Sequence, residues 1–256
     1  MSVGVAVDSE ADVSVRTEQF AFSVHDGITV LRDDRHPGGT KARVLSRILP
    51  CVTEEVVVYA GHPYGFGSEA LAIASANAGK SAKLLFPRYA GWPNELSMPM
   101  PMRRACGMPN VDFLTVGDPE STQTEIDALA IRYANDRGYF HFPVGFDYPD
   151  FFEELKSVIL AVPNIDQFEE VWTVAGSGTL ARALHEALPH ARICAVNLRM
   201  PHCRLGNIHQ FQAEMGPEEA AIDLPPFASA RYYDAKAWAI LRANASEKAL
   251  FWNVAG

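Results

Sequence analysis

The sequence predicts an α/β protein built on a mostly parallel sheet. Two observations carry this expectation. Short apolar, β-branched runs alternate along the chain with segments of helical composition, and turn glycines punctuate them. Such an alternation implies βαβ units, whose ligands gather at the carboxyl ends of the strands. The first helix is expected at Lys41–Leu49, after a Gly-Gly turn. Val56–Ala60, closed by Gly61, reads as a buried strand. Ser68–Ala78 has helical composition, and Gly79 suits the position just past a helix end. Ala82–Phe86 is the next strand, and the proline- and methionine-rich stretch from Phe86 to Pro109 reads as irregular. Val111–Val116 is a strand, and Thr122–Asn135 a helix with apolar spacing at Ile126, Leu129, Ala130 and Tyr133. Then come a helix at Phe151–Leu160, a strand at Val171–Ala175, a helix at Leu180–Leu188 and a strand at Arg192–Leu198. A helix at Ala235–Ala243 and a strand at Ala249–Val254 close the pattern.

At 256 residues the chain is long enough for one large domain or two modest ones sharing a cleft. Nearly half of it is apolar (48%), so a sizeable core can form. No apolar run approaches the roughly 20 residues of a membrane helix. The opening stretch, MSVGVAVDSEADVSV, carries acids and no basic region, unlike a signal peptide. Cys51, Cys106, Cys194 and Cys203 lack CxxC spacing, which points to reduced, buried thiols in a cytoplasmic protein. The net charge of −9, with only Arg103–Arg104 as a basic pair, argues against tight non-specific nucleic-acid binding. His202 and Cys203 with His209 have no fourth ligand at metal spacing, so no metal site is expected. His62, after Gly61 at a strand end, suits either a pocket or a capping role.

Three segments could carry chemistry. In the first, Arg32-Asp33 leads through Gly38-Gly39-Thr40 to Lys41-Ala42-Arg43. A lysine at a helix start faces the positive end of the dipole, which favours the neutral, nucleophilic amine. A plain surface lysine after a loop is the alternative. In the second, Gly176-Ser177-Gly178-Thr179 lies between a strand and a helix, where backbone N–H groups suit a phosphate. It lacks the Walker lysine and the GxGxxG spacing. In the third, Tyr232-Tyr233-Asp234-Ala235-Lys236 opens a helix, where an acid also serves simply to stabilise the terminus.

In this order, the three segments resemble the β-family pyridoxal phosphate (PLP) enzymes of the tryptophan-synthase-β fold. The nearest likeness is to the 1-aminocyclopropane-1-carboxylate (ACC) deaminase and D-cysteine desulfhydrase group. That group's (K/R)xDxxxxGGNKxRKL pattern is matched by Arg32-Asp33 and Gly38-Gly39-Thr40-Lys41-Ala42-Arg43-Val44-Leu45. Its SIGGIQSN stretch aligns without a gap with Tyr59 to Gly79, and its GSGGT loop with Gly176 to Thr179, one glycine short. Its VYxGK is matched by Tyr232 to Lys236, and its LFxHTGG by Leu250 to Gly256. The likeness runs from about Thr29 to Gly256. It implies a PLP Schiff base on Lys41, the phosphate on Gly176, Ser177, Gly178 and Thr179, and the pyridine nitrogen on Asp234. Tyr233 becomes a candidate acid/base or substrate contact. The fold implied is two three-layer αβα lobes with mostly parallel sheets and PLP in the interlobe cleft. The smaller lobe would span 52–138, and the larger 1–51 plus 139–256.

The departures matter equally. The family's Ser-Asn pair falls on Gly65 and Phe66, so Phe66 stands where a cofactor contact is expected and Ser68 is the nearest hydroxyl left for catalysis. Free N–H groups at Gly65 and Gly67 would suit an anion. The threonine of HTGG becomes Val254, and the stretch from Leu198 to Tyr232 is short, which implies an open pocket. The expected reaction is lyase, deaminase, decarboxylase or isomerase chemistry at the α-carbon of an amino acid, in a possible homodimer. One rival is a bacteriophage-type PLP enzyme acting on an amino-acid-modified thymine in DNA, for which Arg88, Arg103 and Arg104 should surround the cleft. The other is a degenerate PLP-binding or partner-binding module.

Overall fold

A computed structural model describes residues 20–88, 98–118 and 120–256; the opening stretch read for a leader, and part of the Phe86–Pro109 stretch, lie outside these. Among the described residues, ten strands fall into two sheets. The larger has the order β1 (Phe22–His25), β2 (Ile28–Arg32), β10 (Ala249–Asn253), β7 (Glu170–Ala175), β8 (Arg192–Asn197), β9 (His209–Gln212). Only its edge pair β1–β2 is antiparallel. The smaller sheet has the order β5 (Val111–Val116), β4 (Ser81–Pro87), β3 (Val56–Ala60), β6 (Phe140–Phe142), and is wholly parallel.

Both sheets are the middle of three layers, and side-chain alternation shows why. In β10, Leu250 and Trp252 face one core while Phe251 faces another. The first core is shared with α1 (Gly39–Ile48), α5 (Pro149–Leu160) and α6 (Thr179–Ala187); the second is closed by α7 (Trp238–Asn244) through Trp238 and Leu241. In β3, Val57 and Tyr59 face α2 (Gly67–Asn77) and α3 (Met100–Cys106), whereas Val58 and Ala60 face α4 (Gln123–Asn135). Strands buried on both faces read as continuous apolar runs, which is why β3, β7 and β8 were legible. The core under α1 runs unbroken from one sheet to the other, so the two lobes share it.

Six elements depart from the sequence expectations. The hairpin β1–β2 turns at Asp26-Gly27, both with positive φ (51° and 79°), and this Asp-Gly pair between strands was the missed signal. The three-residue β6 joins the smaller sheet with Phe140 opposite Val57, past residue 138 where the smaller lobe was expected to end. β9, mostly polar, is held by backbone pairing to β8. α3 forms inside the stretch read as irregular, with a proline in its first turn, where the missing N–H costs nothing. Asp234–Ala237 is a 3-10 turn ahead of α7, so the regular helix starts at Trp238. Of the four cysteines expected to be buried, Cys51 is exposed, Cys106 and Cys203 are half-buried and Cys194 is buried.

Candidate active site

Carboxyl ends of strands from both sheets converge on one cleft. β2 leads to the Gly38-Gly39 turn and α1, β3 to His62 and the start of α2, β7 to Gly176, and β10 to Val254. α1 begins two residues earlier than expected, and Lys41 is its third residue. Its start is fixed by buried polar side chains. Asp33 accepts from Arg43 Nε at 2.6 Å and from Thr40 Oγ1 at 2.5 Å, and Thr40 Oγ1 accepts from Trp252 Nε1 at 2.9 Å. The turn itself needs glycine: Gly39 has φ +62°, and a Cβ there would fall on the Val254 carbonyl oxygen. These bonds tie the helix carrying Lys41 to β10 and to the segment after β2.

Two chambers meet at Lys41. The first, of about 590 Å³, is mostly apolar and is lined by Lys41, Phe66, Phe151, Leu155, the Ser177–Leu180 turn, Tyr233 and Val254. The second, of about 510 Å³, is lined by Lys41, Gly176, His62, His202, Tyr64, Tyr232 and Tyr233 among others. Burial lowers the Lys41 amine to about 8, with Asp234 pulling weakly the other way. The helix-start position holds, and desolvation lowers the amine in the direction the sequence expected from the helix dipole. Reaction of Lys41 with an amine reagent, followed by peptide mapping over pH 6–11, is expected to rise with a midpoint near 8 rather than 10.5.

The glycine turn opens α6 without a capping side chain, since Gly178 takes φ +87° at the N-cap and a Cβ there would strike the Arg204 carbonyl oxygen. Gly176 N–H donates to Tyr233 Oη at 3.1 Å, so the YYDAK segment is pinned to the turn. Burial raises the Tyr233 phenol, and Asp234 raises it further.

Asp234 is fully buried beside Tyr233. Its Oδ2 accepts from Ala255 N–H at 2.9 Å, while Oδ1 has no partner among the described residues. Burial raises this carboxyl well above its usual range, opposed by backbone N–H groups of Ala255 and Val254. A raised acid favours folding below its unfolded-state value and loses that contribution as pH climbs towards the folded-state value. The ligand-free chain is therefore expected to lose more melting temperature than Asp234→Asn as pH rises above about 3.8. Equal pH slopes for the two proteins in thermal melts would refute this.

Lys41, Phe66, Ser177, Gly178, Thr179 and Tyr233 all line the first chamber, and Gly176 the second. Ser68 is not brought to the cleft: it is buried at α2, its Oγ lies where a Gly61 Cβ would be, and it lines neither chamber. Phe66, in the place of the expected asparagine, offers an apolar ring edge-on to Tyr233 at 6.1 Å. The sequence singled out His62 without deciding its role and weighed His202 only as a metal ligand; both are walls of the second chamber. Burial lowers His62 to about 4, and burial followed by Lys41 lowers His202. Among the described residues no group of three or more His, Cys, Asp or Glu is arranged to hold a metal. Nor is any helix among them long and apolar enough to cross a membrane. Arg88 and Arg103 line neither chamber, and Arg104 faces Glu69 across 3.4 Å in a separate hollow.

No family model matches the chain, and no curated protein matches it by sequence. Solved structures do match. An ACC deaminase homologue superposes with a TM-score of 0.65 at 15% identity, covering 89% of this chain and 84% of that one. Escherichia coli diaminopropionate ammonia lyase gives 0.60 at 12%, covering 95% and 84%. A pyridoxal 5'-phosphate-dependent aspartate racemase gives 0.58 at 14%, covering 90% and 84%. Against threonine deaminase isoform 2 of Solanum lycopersicum the chain spans only 47% of the longer protein, with a TM-score of 0.51. At these identities the likeness is one of fold. The chain has the fold type II architecture of these enzymes, the tryptophan-synthase-β-like arrangement expected from its motifs.

Proposed function

We propose that this chain is a PLP-dependent enzyme acting at the α-carbon of an amino acid or amino-acid-like group, with lyase or deaminase chemistry. One juxtaposition carries the reading: a lowered lysine amine and an uncapped glycine turn line one apolar chamber, and just behind its Tyr233 and Val254 walls a buried carboxyl, which acts on that lysine, has an oxygen unpartnered among the described residues. The residues suit the cofactor. Asp234 Oδ1 is a buried acceptor in need of a donor, which a protonated ring nitrogen supplies. The N-terminus of α6 suits a phosphate, and Lys41 suits an aldehyde. The neighbours of like fold include amino acid deaminases, lyases and a racemase, which supports the substrate class and leaves the reaction to the site.

Pyridoxal phosphate, when bound, supplies an electron sink for a carbanion at the substrate's α-carbon. The chain's own part is positional and acid–base. Lys41, its amine half in the neutral form at about pH 8, would carry the cofactor and would take or return the α-proton. Asp234 would favour the protonated form of the ring nitrogen, which strengthens the sink. Tyr233, held by Gly176 N–H at the junction of both chambers, orients the reacting group. The walls Phe66, Phe151, Leu155 and Val254 exclude water from the reacting end.

The test is direct. Added PLP should give the protein a visible absorbance, and borohydride reduction with peptide mapping should place a pyridoxyl adduct on Lys41. A colourless protein with no adduct ends this reading.

A further inference from the structure

We infer that Lys236 is a positioning residue for the second chamber: its ammonium clasps the segment 213–231 so that Pro217 becomes a chamber wall, and this sets how tightly an amino acid is held there. The inference rests on the reading above for the substrate, and on the hydrogen bonds alone for the clasp.

Between β9 and the 3-10 turn at Asp234 the described chain has neither helix nor strand. Irregular segments of this length in compact domains are commonly lids or binding loops. This one is tied at a neck, where Ala221 N–H donates to the Arg231 carbonyl at 2.7 Å. Two cations grip it from outside. Arg199 Nη2 donates to the Ala213 and Glu214 carbonyls at 2.7 and 3.4 Å, and Lys236 Nζ to those of Gly216 and Pro217 at 2.6 and 3.4 Å. The part that Lys236 holds is already a turn: Glu219 N–H donates to the Gly216 carbonyl at 3.2 Å, and Gly216 N–H to Glu219 Oε2 at 2.6 Å.

The two clasps are not equivalent. Arg199 is exposed, so its bonds to carbonyls replace bonds to water. Lys236 is only 4% exposed. A buried ammonium is desolvated, and only bonds to acceptors offset that cost. Both of the carbonyls that accept from Lys236 lie on the 213–231 segment, so the buried cation is spent on holding that segment.

What the clasp positions is a wall. Pro217 lines the second chamber together with Met200 and Tyr232, while Tyr64 lines it from the loop between β3 and α2 of the smaller sheet. The Tyr64 and Tyr232 rings meet at 5.3 Å. Burial and, after it, Glu218, the residue following Pro217, raise the Tyr64 phenol. The gripped turn thus stands beside the contact that joins the two sheets at the chamber. Lys41, Asp234 and the glycine turn are held by other bonds: those of Asp33 at the start of α1, of Ala255 to Asp234, and of Gly176 to Tyr233. Releasing Lys236 therefore moves a chamber wall and leaves the cofactor residues in place.

The experiment compares the parent chain with Lys236→Met, Glu219→Ala and Arg199→Ala; the last two change exposed side chains and so spare the core. On the cofactor-free proteins, hydrogen exchange is followed by peptide mass spectrometry. Lys236→Met is expected to speed exchange in 213–222 at least fivefold while α7 and β10 stay within twofold of the parent. Glu219→Ala and Arg199→Ala should each speed the same stretch at least twofold. Exchange that rises equally in α7 and β10 would make Lys236 a prop of the core and overturn the inference, as would no change in 213–222. On the PLP-loaded proteins, racemic forms of the standard amino acids are titrated by visible absorbance. For those that the parent binds, Lys236→Met should raise the half-saturating concentration at least tenfold, while the borohydride adduct on Lys41 forms to within twofold of the parent. Unchanged half-saturation overturns the inference. If the parent shows no colour, or no response to any amino acid, the reading above has failed by itself, and the exchange measurement alone decides the clasp.

Discussion

Asp33→Ala is expected to lower the unfolding free energy by about 3–5 kcal/mol, as breaking a buried ion pair does. Both partners are inaccessible: the Arg43 side chain is 4% exposed and that of Asp33 0%. Truncating Asp33 removes the carboxylate to which Arg43 Nε donates, and Thr40 Oγ1, which accepts from Trp252, loses the acceptor for its own proton. The loss falls on the start of α1, so the variant should also bind PLP more weakly at Lys41 even where it stays folded. Urea titration followed by tryptophan fluorescence measures the first effect, since Trp252 is part of the network. A loss under 1 kcal/mol would mean that the carboxylate is not needed to hold this turn.

Lys41→Ala should abolish the pyridoxyl adduct and lower turnover on any amino acid the parent accepts by about 1,000-fold or more, the scale of losing a nucleophile that no neighbour replaces. The instructive comparison is Lys236. It too is buried and lowered to about 8, chiefly by desolvation. Its Nζ, however, donates to the Gly216 and Pro217 carbonyls at 2.6 and 3.4 Å and so is committed to holding that loop. Lys236→Ala should keep the adduct on Lys41. An adduct that persists in Lys41→Ala and disappears in Lys236→Ala would assign the chemistry to the wrong amine here. Lowered basicity alone does not select between the two; the chamber in front of Lys41 does.

Much of the fold was legible because β3, β7 and β8 are buried on both faces and α2 is closed by Gly79. Val56–Ala60 and Val111–Val116 were read to the residue. What escaped was held by pairing rather than by composition: β9 is polar and β6 only three residues long, so neither has an apolar run to read. Lys41, the glycine turn and Asp234 were singled out by the resemblance, whose motifs sit at element boundaries in this chain. Ser68 was misjudged because the count from Phe66 into α2 gives proximity in sequence but not direction, and the first turn of that helix points its hydroxyl at Gly61. His62 and His202 lie 140 residues apart, and no local pattern pairs them.

The sequence by itself determined the alternation of the buried strands with helices from β3 onward, the lysine at a helix start and the glycine turn after β7, because these follow from short-range periodicity and from the backbone freedom of glycine. Tertiary structure alone decided that Asp234 Oδ1 has no partner among the described residues, that burial lowers Lys41, and that four tyrosines and two imidazoles share a chamber with it. Those properties depend on desolvation and on contacts between segments far apart in the chain, and neither is encoded in local spacing.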